Sequence, residues 1–215
     1  MLQNKRRGMK KVFLPLVAVV ILFAAACSFG PKEMLIDSFE GDINNKTVDY
    51  GASNTSSLVV SADRELKVCG EQSLRLDYQL KTSGYMWAAR GYNLDVKTAA
   101  KWEVEPNKIP WKNFNAISLQ MYGQNTGSVV AFDIKDAAGE YWRFLLDDDF
   151  SGWKEITCPF DNFFARKDWQ PEKATRNDIL DFPIMSFQFE PRLPGKGVYR
   201  FDCVKAIKIQ EKKKR

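Results

Sequence analysis

Between Ser128 and Phe164, apolar and polar residues alternate with the two-residue period of half-buried strands. Val130, Phe132 and Ile134 alternate with Val129, Ala131, Asp133 and Lys135, so one face of this segment is apolar and the other carries charge. The polar run Asp136 to Glu140 turns the chain. Tyr141 to Asp147 then alternates again, with Trp142, Phe144 and Leu146 in the core phase and Tyr141, Arg143 and Leu145 opposite them. Asp147, Asp148, Asp149, Ser151 and Gly152 predict a second, solvated turn, and Trp153 to Phe160 a third strand that Pro159 must end or push to an edge. Three strands joined by two short turns predict a meander.

The same period recurs along the chain. Met34 to Asp42 reads as a first strand ending in an acidic turn, Leu58 to Ala62 as a short strand, and Gly70 to Leu80 as a half-buried strand with Leu74, Leu76, Tyr78 and Leu80 in phase. Asn44 to Ser57 is polar and rich in small residues, which predicts a loop around Tyr50. Tyr85 to Leu94 and Ile117 to Met121 predict further strands. Between them Asp95 to Asn115, with Trp102 and Trp111, is a long connection of the kind that is either functional or a packed insertion. Ile184 to Phe189 alternates Met185, Phe187 and Phe189 with Ser186 and Gln188, and Val198 to Ile209 closes the chain. With no long amphipathic helix and no repeat, the expected class is all-β, an antiparallel β-sandwich.

Residues 1–26 combine a cationic start with an apolar run from Val12 to Phe23 and the small residues Ala24, Ala25 and Ala26, the order of an export signal. The run is shorter than the ~20 residues of a spanning helix. Three alanines before Cys27 resemble a bacterial lipobox, which implies lipidation at Cys27, a linker over 27–33 and attachment to the cell envelope at the outer membrane or cell surface. The folded domain is expected over 34–210, with a basic tail at 211–215. Of the 32 basic residues, Lys5, Arg6, Arg7, Lys10 and Lys11 precede Cys27; the remaining 27 balance the 27 acids. The formal charge of +5 thus belongs to the leader, and no nucleic-acid partner is expected.

No histidine occurs in the chain, which excludes histidine-based catalysis and histidine-ligated zinc. The enzymatic chemistry left is glycoside hydrolysis by two carboxylates ~5 to 9.5 Å apart. Cys158 is in phase with Ile156 and Phe160 and reads as a core residue. Pairing of Cys69 or Cys158 with Cys203 is open in an oxidising compartment.

An ordered set of motifs carries a family likeness. Asp37-Ser38-Phe39-Glu40-Gly41, Gly70-x-x-Ser73-Leu74-x-Leu76-x-Tyr78, Gly84-Tyr85, Trp142, Gly152-Trp153-Lys154-x-Ile156-x-Cys158-Pro159-Phe160-x-x-Phe163, Asp168-Trp169-Gln170-Pro171 and Phe201-Asp202-x-Val204 together resemble the family 11 carbohydrate-binding modules. They are also similar to the complex I intermediate-associated protein 30 domains, which share a galactose-binding-domain-like jelly roll. The resemblance implies a non-catalytic module that binds a β-glucan-like polysaccharide on a concave sheet face. It implies Tyr50, Tyr85 and Trp169 as the aromatic contacts, because sugars pack C–H faces on rings. Strand phase adds Asp133, Arg143 and Gln188 as hydrogen-bonding groups. The resemblance also implies a structural calcium ion where the first and last strands meet, at Glu40 and Asp202, with oxygen donors of the hard type. The alternative implied by the second set of relatives is a protein-interaction or assembly module without sugar binding.

Overall fold

The alternating segments form two six-stranded antiparallel sheets that enclose one apolar core. The structure, a computed structural model, describes residues 32–94 and 100–210; the expected leader, Cys27, most of the linker and the basic tail lie outside them. In chain order the strands are β1 (Glu33–Asp37), β2 (Asp49–Ala52), β3 (Ser57–Asp63), β4 (Ser73–Leu80), β5 (Met86–Gly91), β6 (Ala116–Gln124), β7 (Val129–Lys135), β8 (Tyr141–Asp147), β9 (Ser151–Pro159), β10 (Phe164–Ala165), β11 (Ser186–Pro191) and β12 (Gly195–Ile207). The first sheet runs β3-β4-β12-β6-β9, with β1 also on β12, and the second runs β10-β8-β7-β11-β5-β2. First and last strands therefore do lie side by side, as expected for this class. Among the described residues no helix is long and apolar enough to cross a membrane.

The inward phases meet as the sequence predicts. Phe132, Phe187 and Phe189 of the second sheet face Leu76, Leu119 and Phe201 of the first, all 2% exposed or less. Phe189 stacks on Phe201 across the layers at 3.8 Å between centroids. Full burial of one such side chain is worth about 1.5–3 kcal/mol, so this layer dominates the stability. Trp142 is core at 7% exposure, as its phase requires, and its indole donates to Asp136 Oδ2 at 3.0 Å. The long 95–115 connection is a packed insertion where it is described: Trp102 and Trp111 are buried, and Trp102 stacks on Phe187 at 5.5 Å. Arg90, in the inward phase of β5, is neutralised by Asp37 through contacts of 2.5 and 3.1 Å. Burial there outweighs Arg90 and pushes the Asp37 carboxyl up to about 6.

Three expectations are corrected. The 128–164 segment is not a meander, because β7 pairs with β8 but β9 crosses to the first sheet and pairs with β6. The acidic turn between β8 and β9 is not simply solvated. Asp148 is 0% exposed and accepts hydrogen bonds from the amides of Gln124, Asn125 and Thr126 at 2.7–3.3 Å. It thereby fastens the β6–β7 and β8–β9 connections, both of which change sheets, at one corner. The polar 44–57 segment contains strand β2, which the edge of β5 recruits by backbone pairing although its own residues have little strand propensity.

Candidate functional site

The outward phase of the second sheet forms a polar floor. Because directly opposed residues in an antiparallel ladder share a face, the strand registers place Phe164, Arg143, Asp133, Gln188, Ala89 and Asp49 in one row across β10, β8, β7, β11, β5 and β2. The three polar residues chosen from strand phase are thus immediate neighbours. Arg143 forks onto Asp133 with two bonds of 2.7 Å, and Gln188 Nε2 donates to Asp133 Oδ2 at 3.3 Å. All three are buried, Asp133 completely.

The lattice continues through residues that strand phase alone did not single out. Glu190 accepts from Arg143, Arg166, Gln188 and Arg192 at 2.7–3.0 Å. Arg166, just beyond β10, reaches back over the sheet to Asp133 at 3.2 Å and to Asp168 at 2.8 Å. Arg143, Arg166 and Arg192 face Asp133, Asp168 and Glu190, so the floor is charge-balanced. Burial opposes ionisation of Asp168, but Arg166, Arg143 and Arg192 prevail and hold its carboxyl at about 2. Burial and the Asp133 carboxylate instead lift Glu190 above the usual range. Asp168 and Arg192 are the members that reach solvent, with side chains 43% and 35% exposed; the buried members hold them in place.

Rings stand at both ends of this floor. Trp169 is 49% exposed, packs edge-on against Tyr141 at 5.6 Å and carries the Arg166 guanidinium 5.5 Å over its ring. A cleft of about 440 Å³ opens beside it, with Glu140, Arg166, Asp168, Gln170 and Arg176 in its walls. At the other end Tyr85, 60% exposed, stacks on Trp87 at 6.1 Å and 20°. Trp87 is the ring that the sequence reading missed. The signal was its phase: it falls with Tyr85, opposite the core residues Met86 and Ala88. Its indole lies over Gly51 of β2, where a Cβ would stand 2.5 Å from the ring. Three interstrand steps separate β8 from β5, and Tyr141 is level with Gly91, four residues along β5 from Trp87, so the two aromatic ends lie on a diagonal roughly 20 Å apart. Tyr50 does not join them. It pairs with Ala88 and packs on the core side of the sheet, because one residue's displacement along a strand reverses the face.

Sugar rings on aromatic faces, with paired donors and acceptors between them, is what such a surface accommodates. The family model for carbohydrate binding domain family 11 matches residues 25–209. The chain belongs to that family. Its members are non-catalytic binding modules, and this domain is one of them. Among solved structures, the family 11 module from Clostridium thermocellum in complex with a β-1,3-1,4-mixed-linked tetrasaccharide superposes with a TM-score of 0.64 at 21% identity, over 84% of this chain and 98% of that one. A family 30 carbohydrate-binding module superposes with a TM-score of 0.53 at 14% identity, over 85% of this chain and 91% of that one. By sequence the chain is 25% identical to the mannan endo-1,4-β-mannosidase of Bifidobacterium adolescentis over 69% of its own length, and 26% identical to endoglucanase H of Acetivibrio thermocellus over 81%. It spans only 14% and 18% of those two proteins.

The calcium corner expected for a family 11 fold is occupied by protein donors. Asp202 is wholly buried. Its Oδ2 accepts from the amides of Val68 and Cys69 at 2.7 and 2.9 Å, and its Oδ1 from that of Cys203 at 2.8 Å. Burial lifts its carboxyl above the usual range despite those amides. Glu40 Oε1 accepts from the amides of Glu71 and Gln72 at 2.8 and 3.3 Å, a position open because residue 70 is glycine at φ +61°. The Gln72 side-chain nitrogen donates to the carbonyls of Phe39 and Gly41 at 2.8 and 2.6 Å. Protein N–H groups thus already bond the Glu40 and Asp202 oxygens that a calcium ion would use. Cys69 and Cys203, bridged to each other, staple the same corner, while Cys158 stays a buried thiol; of the two pairings left open, it is the first that forms.

Proposed function

We propose that this family 11 domain holds an uncharged, β-glucan-like polysaccharide on the outer face of the second sheet, and that a lipid on Cys27 tethers the exported chain to the cell envelope. The observation that carries the ligand reading is the charge-balanced arginine–carboxylate floor with exposed rings at both ends. An ionic ligand would meet no net charge there, whereas hydroxyls find donors and acceptors already oriented. Trp87, Tyr85 and Trp169 receive sugar faces, Asp168 and Arg192 bond hydroxyls, and Asp133, Arg143, Gln188 and Glu190 hold the last two in position. The mixed-linkage oligosaccharide bound by the Clostridium module makes mixed-linkage β-glucan the first ligand to try.

An array of soluble glucans, mannans and peptidoglycan fragments probed with the full chain tests this reading. Retention on a β-glucan, lost in Trp169→Ala with the melting temperature preserved, is expected. A wild type that retains no glycan would put the protein-interaction module in first place. The tether is tested separately: mass spectrometry of the mature N-terminus should find a diacylglyceryl group on Cys27, and a chain that still begins at Met1 in cells sinks that part.

A further inference from the structure

The outer face of the first sheet, on the far side of the core, repeats the composition of the site with a different set of residues. One row crosses it from β3 to β9 as Ser61, Arg75, Arg200, Tyr122 and Trp153. Arg200 is 8% exposed, bonds Asp63 Oδ2 at 2.6 Å and lies 5.4 Å over the Tyr122 ring. Arg75 forks onto Asp77 with two bonds of 2.8 Å and approaches Asp63 at 3.6 Å. Two guanidinium groups thus face two carboxylates, and this floor is charge-balanced as well. Beside it Trp153 meets Tyr122 edge to face at 5.5 Å and 82°. Both rings are partly buried, and the Trp153 indole N–H has no hydrogen-bond partner among the described residues. Four interstrand steps give the row a span of roughly 19 Å, enough for a short run of sugar rings.

Neither of the simpler roles for these residues explains them. Trp153 is not core, since its phase partners on β9 are Glu155 and Thr157, both exposed, while Ile156 and Cys158 face inward. Nor is the patch an apolar contact surface: Gln120 and Glu155 occupy the adjoining row beside the two rings. What remains is an amphipathic ring with a free donor next to a neutral, pre-ordered hydrogen-bonding floor, and that combination suits a polyhydroxylated, uncharged chain.

We propose that this face is a second polysaccharide-binding surface, so that one domain holds two glycan segments back to back. The proposal rests on the carbohydrate reading of the first face, which supplies the probe. Titration calorimetry of the full chain with a β-1,3-1,4-mixed-linked tetrasaccharide should give two sites per domain. Trp153→Ala should reduce them to one and leave the surviving site's affinity unchanged, Trp87→Ala should weaken the other site roughly tenfold, and Trp153→Phe, which keeps a ring but loses the indole N–H, should keep both sites with the second one weakened. The phenylalanine variant and melting curves guard against a merely structural effect. A wild type with one site, weakened by Trp87→Ala and indifferent to Trp153→Ala, overturns the second face and leaves the first intact. Absence of any binding overturns both. A sugar-independent dimer that Trp153→Ala dissociates overturns it too, by making the face a self-interface.

Discussion

Adding one methyl group at Gly51 should damage glycan binding about as much as removing the Trp87 ring. Gly51 of β2 lies directly opposite Trp87 of β5, and the indole covers it. A Cβ at residue 51 would stand 2.5 Å from Cη2 and 2.8 Å from Cζ2, far inside van der Waals contact, so the ring has to rotate off the platform and leave Tyr85. Loss of one aromatic contact is worth about 0.5–1.5 kcal/mol beyond its area, which is roughly a 2- to 13-fold rise in Kd. The fold should barely notice, since alanine suits an edge strand no worse than glycine does. Calorimetry with soluble mixed-linkage β-glucan should therefore show Gly51→Ala and Trp87→Ala equally impaired. In the Trp87→Ala background, Gly51→Ala should cost nothing more, because the methyl then enters vacated space. Wild-type affinity for Gly51→Ala, or losses that simply add in the double variant, would refute the reasoning.

Three further outcomes follow from the same geometry. Tyr50→Ala should leave glycan affinity unchanged and lower stability by about 0.5–3 kcal/mol, because Tyr50 packs on the core side; a binding defect without a stability defect would return it to the site. Asp168 has its carboxyl held near 2 in the native state, below the ordinary 3.8, so its contribution to stability is present above about pH 4 and lost as pH falls toward 2. Asp168→Asn should flatten the melting-temperature slope across that window, and an unchanged slope would remove it from the account. Chelator should not shift the melting temperature of the wild type, whereas Gln72→Glu, which replaces the donor between two carbonyls with an acceptor, should lower it and make it rise with added calcium; a chelator-sensitive wild type would restore the ion to Glu40 and Asp202.

What the sequence made legible, and what it hid, divides by the range of the information. Alternation is local, so the segments of β4, β7, β8, β11 and β12 and the sides their residues face could be read directly. Asp133, Arg143 and Gln188 met because each sits in the outward phase of neighbouring strands. Which strands are neighbours is not local. β2 has glycine and acid in place of β-branched residues and exists because the β5 edge pairs with it. β9 departs to the other sheet at a corner fastened by Asp148, whose role as a multiple acceptor is invisible in a run of three acids. Arg166 and Arg192 lie outside the periodic strands altogether, and only the fold brings them onto the floor. Trp87 was within reach of the phase argument, hidden by a short strand whose inward positions include an arginine.

The energetics of that floor bear on what it is for. Replacing buried ion pairs by packed apolar residues is often neutral or stabilising, so a buried arginine–carboxylate lattice is poor evidence of a stability device. Arg90 and Asp37 inside the sandwich are buried, Asp37 completely, and among the described residues no exposed charged side chain continues the pair, so their role is confined to the fold. The lattice on the second sheet differs in one respect: its buried members end in Asp168 and Arg192, whose side chains emerge into solvent. Fixing the long Arg192 side chain before a ligand arrives removes rotamer entropy that binding would otherwise have to overcome, about 0.5–1.5 kcal/mol, and the short Asp168 adds less. A layer that costs the fold desolvation and returns rigidity at its exposed tips is accounted for by recognition, and a truncation within it, such as Arg143→Ala, should therefore weaken binding through residues that Arg143 supports without touching the glycan itself.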